Sequence, residues 1–125
     1  MKIMGSTVNQ YLMLGIRLGY DEADQLMKAQ HGEQASDVQE KYEDNGYEEG
    51  IGHFEGVSLI ADGMNGEYMF FGIIKKKTRA DDWLENVSIE RPKPKDVRLV
   101  QEKAKALFGL DAVASPGWHV ITHWH

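Results

Sequence analysis

The stretch Trp118-His119-Val120-Ile121-Thr122-His123-Trp124-His125 decides how the rest of the chain is read. Laid out as a strand, its side chains alternate faces, so His119, Ile121, His123 and His125 point one way. Trp118, Val120, Thr122 and Trp124 then point the other way. Three of the five histidines therefore share one face of a ribbon that opens after the turn Ser115-Pro116-Gly117.

Upstream, the apolar pattern yields partners for such a ribbon. Val8, Leu12, Leu14, Ile16 and Leu18 have one parity, and Tyr11 and Met13 give the opposite face apolar character, which predicts an interior strand over 8–18. Gly56 to Ala61 and Glu67 to Ile74 form the strongest local signal, a hairpin whose reversal lies in Asp62-Gly63-Met64-Asn65-Gly66. The return strand is apolar on both faces and belongs in the middle of a sheet.

Helical spacing fills the gaps. Ala23, Leu26 and Met27 define a helix over about 22–31, with Asp21 as its N-cap and Gly32 as its break. A weaker helical pattern, Ala35, Val38 and Tyr42, follows it. Asp96 is placed to start a second main helix with Val97, Val100, Ala104, Leu107 and Phe108 as its stripe, and Gly109 to end it. Between strand and helix, residues 80–95 read as a short helical turn or strand extension and then a rigid linker at Pro92 and Pro94.

The expected fold class is α+β, a four-stranded antiparallel sheet with two main helices in the βαββαβ order of ferredoxin-like folds, first and third strands central and the fourth at an edge. The expected organisation is one domain over 1–125, with residues 33–55 as an acidic, glycine-containing insert after the first helix.

Charge supports the separate character of that insert. The formal net charge is -6, yet residues 21–55 carry eleven Asp and Glu against two Lys. The remainder carries nine Asp and Glu against twelve Lys and Arg. An acidic surface repels phosphate backbones, so nucleic acid is not an expected partner, although Lys75-Lys76-Lys77 and Arg79 form one basic run. No apolar run is long enough to span a membrane, and the absence of cysteine suits a reducing, cytoplasmic setting.

Two chemistries compete for the function. Imidazole titrates near neutrality, so His119 and His123 are candidate acid–base groups of a small hydrolase or phosphoesterase, with Lys75, Lys76 or Arg79 to hold an anion. Zinc accepts imidazole, and on a strand His123 and His125 are about 6.8 Å apart, whereas His119 is about 13.6 Å from His123. Extra ligands would have to come from His31, His53, Asp62 or Glu67, and no spacing links them, so no metal site and no cofactor is expected.

The other reading is an accessory or regulatory protein that binds a protein partner. Its acidic surface would use Glu40, Glu43, Asp44, Glu48 and Glu49, and its aromatic groups Trp118 and Trp124. A homodimer through the terminal edge strand belongs to the same reading.

Overall fold

A computed structural model of the protein describes residues 8–43, 53–62, 66–78, 82–109 and 116–124. Its framework is one antiparallel sheet in which five strands, β1 (Val8–Gly19), β2 (His53–Phe54), β3 (Val57–Ala61), β4 (Tyr68–Lys77) and β5 (Gly117–Trp124), lie in the order β2-β3-β4-β1-β5. Three helices, α1 (Tyr20–His31), α2 (Ala35–Tyr42) and α3 (Pro94–Phe108), share one apolar cluster with one side of that sheet. The class is α+β, and the strand with two apolar faces, β4, is indeed interior.

Two features depart from a bare βαββαβ chain. The insert after α1 contains its own helix, α2, and returns through β2, which pairs with β3. The β2–β3 reversal uses only Glu55 and Gly56, with φ of 51° and 89°, the left-handed pair that a two-residue hairpin needs. Glu55 tolerates this conformation while forming an ion pair with Lys103 on α3. The loop stretch 44–52 and the reversal at 63–65 lie outside the described residues.

The helices form where the periodicity placed them. Ala23 and Met27 of α1, Ala35 and Tyr42 of α2, and Val100, Ala104, Leu107 and Phe108 of α3 are buried. Their capping differs from expectation. Gly19 is the N-cap of α1, without a side-chain hydrogen bond, and Asp21 lies inside the first turn. Starting the helix at Tyr20 moves that carboxylate past the capping position, where it acts on the helix dipole instead. Pro94 opens α3, two residues before Asp96, where a missing amide costs nothing. Gly109 closes it at φ 73°. Residues 82–93 are neither helix nor strand, in place of the expected turn or extension.

The sheet is sharply bent. Tyr68 lies opposite Gly19 and His123 opposite Asn9, ten positions apart on β1. An extended strand covers about 33 Å in that distance. Yet Tyr68 Oη and His123 Nδ1 are 2.8 Å apart. Diagonal corners of the sheet therefore meet on the side away from the helices.

Glycine permits the bend. Gly72 on β4, Gly15 on β1 and Gly117 on β5 form a row across three neighbouring strands. A Cβ on Gly15 would stand 2.3 Å from the Phe71 carbonyl oxygen, and one on Gly72 would stand 2.2 Å from that of Leu14. Nearby, the register shifts between Leu12 and Met13, adding a bulge that re-aims the strand. Inside the resulting concavity Tyr11, Met13, Ile60 and Ile121 make a second core, flanked by Phe70 and Ile74.

Gly72→Ala is expected to cost about 3 kcal/mol or more, because the β1 backbone at Leu14 and Gly15 occupies the place of the added methyl. Gly117→Ala should be tolerated, since nothing lies within 4 Å of its added Cβ. Urea unfolding of both variants checks this; equal midpoints would mean that the strands are not in close approach at Gly15 and Gly72.

Candidate functional site

Inward parity on β5 brings His119, Ile121 and His123 onto the concave face, as the alternation requires. His123 is only 5% exposed. Its Nδ1 shares the hydrogen bond with Tyr68, and the two rings meet edge to face with centroids 5.9 Å apart. Buried imidazole without such a partner would carry a desolvation cost. Next to it on β1, Asn9 is fully buried and its amide donates to the Thr78 carbonyl at 2.7 Å.

Charged groups gather around Tyr68. Asp62, itself nearly buried, accepts the Glu67 amide through Oδ2 at 3.2 Å. Burial pushes the Tyr68 phenol above its ordinary 10.0, the charges of Asp62 and Glu67 add to the rise, and Arg17 opposes it. The Arg17 guanidinium also sits 5.9 Å from the centre of the Phe70 ring. Phe70 in turn packs edge to face on both Tyr68 and His119.

His119 has different company from His123. Its Nε2 donates to the Gly15 carbonyl at 3.2 Å, which places it at the glycine row rather than on Tyr68. The two histidines thus face one concavity, but each is engaged separately. His31 is farther still, donating from Nε2 to the Leu107 carbonyl at the end of α3. The backbone of His53 lies in β2, at the opposite sheet edge from β5. Among the described residues, no group of three or more His, Asp and Glu is arranged to hold a metal ion. His125 lies outside them.

The anion-holding lysines are not brought to the histidines. Lys75 pairs with Asp96 on α3 at 3.1 Å, and Lys76 donates to the Glu85 carbonyl at 2.8 Å. Each ammonium is thus held by an acceptor of its own, the Asp96 carboxylate or the Glu85 carbonyl, and not beside His119 or His123. Arg79 lies outside the described residues.

Of the residues expected to bind a partner, Glu40 is exposed on α2 and Glu43 follows at its end, bridging to Leu59 of β3. Asp44, Glu48 and Glu49 lie outside the described residues, as does the side chain of Trp124. Trp118 is half-buried, and its Nε1 donates to the Glu90 carbonyl at 2.6 Å. Nothing in the sequence pointed to Arg17, and Tyr68 stood out only as one of the aromatic groups of a sheet strand, not as a partner of His123. Only the row of glycines hinted that distant strand ends could meet, and reading it requires the register.

Chemically, the Tyr68–His123 pair can share and pass a proton, while Asp62, Glu67 and Arg17 set the local field. Comparison with protein-family models, with curated proteins and with solved structures finds no match for this chain.

Tyr68→Phe removes the hydroxyl from a buried imidazole and is expected to cost about 1–3 kcal/mol in denaturant unfolding. An unchanged midpoint would show that the contact contributes nothing. A second test uses pH. Tyr42 and Tyr68 are both raised, chiefly by burial, so the folded chain keeps phenolic protons that the unfolded chain has begun to release. Stability should be undiminished below about pH 10 and fall as pH rises past it, more shallowly in Tyr68→Phe; thermal melts from about pH 9 to 11 read this directly.

Proposed function

We propose that the chain is a small accessory or regulatory protein that acts by binding a protein partner, not by turnover. The observation that carries this reading is an acidic groove of about 350 Å³ between α1 and α2, lined among others by Tyr20, Asp24, Lys28, Gln39, Glu40 and Glu43. Lys28 is already satisfied by Asp24 at 2.8 Å, four residues away on the same helix. Gln39 donates to Glu43 Oε2 at 3.1 Å, which orients that carboxylate. Glu40 and Glu43 then give the groove its net sign. It suits a Lys- or Arg-bearing segment, with Tyr20 as an aromatic wall.

Aromatic character continues past the groove. Phe54 on β2 is exposed by more than a third, contacts Tyr42 edge to face, and has Lys41 5.8 Å above its ring. A cytoplasmic setting completes the reading, in keeping with a cysteine-free chain. Among the described residues no helix is long and apolar enough to cross a membrane.

A second reading, a histidine-dependent hydrolase with or without metal assistance, draws on the Tyr68–His123 contact. It requires the concave face to admit a substrate, and His123→Gln would then abolish turnover of an ester or phosphoester while leaving the fold intact.

Calorimetric titration with a Lys/Arg-rich peptide at low ionic strength tests the binding reading. The double variant Glu40→Gln, Glu43→Gln should weaken binding about three- to tenfold, as expected for two partly exposed ion pairs, and added salt should weaken the parent in the same sense. Equal affinity of parent and double variant would overturn the groove as the site.

A further inference from the structure

Three of the four large apolar side chains exposed among the described residues, Trp83, Ile89 and Val120, belong to one border of the sheet. Val120 is 57% exposed on β5. By strand parity it shares the helix-bearing face with Trp118 and Thr122, which stand on either side of it. The segment 82–93 is pinned at both of these neighbours. At one end the Leu84 amide donates to Gln10 Oε1, and Gln10 Nε2 donates to Thr122 Oγ1. At the other, Trp118 holds the Glu90 carbonyl. Trp83 and Ile89 each sit one residue from a pin, so both belong to the part of the segment that is held at this border.

β5 is also the outermost strand on its side of the described sheet. Its eight residues include no Lys, Arg, Asp, Glu or Pro, and it pairs with β1 in unbroken register. Edge strands that resist further pairing usually carry charge, proline or a bulge. This one has none of those devices. The opposite edge is unlike it, because β2 has two residues and packs beside acidic α2. Two copies meeting through β5 keep their acidic grooves at opposite ends of the pair, which minimises their mutual repulsion.

We propose that a second copy of this chain occupies the β5 edge, by antiparallel pairing of the strand with itself about a two-fold axis near Val120. In this arrangement each Val120 meets its own copy, and Trp118 lies opposite Thr122. The two sheets become continuous across the seam. Trp83 and Ile89 of both chains then close over one side of it, adding apolar area that strand pairing alone would lack. The surface is distinct from the groove between α1 and α2.

Because the chain has no cysteine, Val120→Cys introduces a single thiol. Directly opposed residues in antiparallel strands have Cα atoms about 4.5–5.5 Å apart, within the range a disulfide spans. Oxidation should yield covalent dimer at least about tenfold faster than in Ser36→Cys, an exposed control on α2. Sedimentation of the unmodified chain should show dimer mass rising with concentration. Val120→Lys should raise the dissociation constant at least about tenfold with its circular dichroism and melting temperature preserved. The Glu40→Gln, Glu43→Gln variant should remain dimeric, which separates this surface from the groove. Monomer mass at every concentration, equal cross-linking of the two cysteine variants, or a dimer indifferent to Val120→Lys would each overturn the proposal.

Discussion

The approach of β1 to β4 at Gly15 and Gly72 is the constraint on which the rest of the molecule depends. With no side chain on either, the strands can fold over a line where any Cβ would strike the carbonyl of its neighbour. That fold turns the helix-free face from a solvent-facing surface into an enclosed one. Tyr11 and Met13 can then be fully buried without a layer of helices above them, and Tyr68 can reach His123. A flat sheet of the same register would leave those apolar groups in water.

The helices solve a different problem. None of the three has a side-chain N-cap, so capping bonds do little to hold them. What fixes them is the apolar cluster they share with Ile16, Leu59, Met69 and Phe71, including the edge-to-face packing of Phe71 on Tyr42 and Phe108. Lys103–Glu55 and Lys75–Asp96 tie α3 to the sheet at the surface, where ion pairs contribute modestly. The result divides labour across the sheet, with acidic α2 at one edge and an uncharged strand at the other.

Periodicity alone carried much of this architecture. The stripes of α1 and α3, the alternation of β1, the double-sided apolarity of β4 and the inward parity of His119 and His123 depend on neighbours in sequence, so they can be read without coordinates. The β2–β3 hairpin was hidden because Glu55, not glycine or asparagine, takes the first left-handed position. Asp21 misled because the helix begins two residues earlier than a cap at that position would allow. The site was legible only in half. His123 could be assigned to a face, but Tyr68 reaches it through a bend that no local pattern encodes. Lys75 and Lys76 looked available because their acceptors, the Asp96 carboxylate and the Glu85 carbonyl, lie in a later segment whose placement no local pattern gives.

The pairing of β1 with β5 bears on how the chain reaches this state. Gln10 and Thr122, whose side chains meet across that ladder, are separated by 112 positions. Contact order is accordingly high, and loop-closure entropy must be met before the ladder returns any free energy. During synthesis on the ribosome, β1 emerges long before its outer neighbour and waits with one flank open. A chaperone that shields that flank would keep nascent chains from misassembling during that interval.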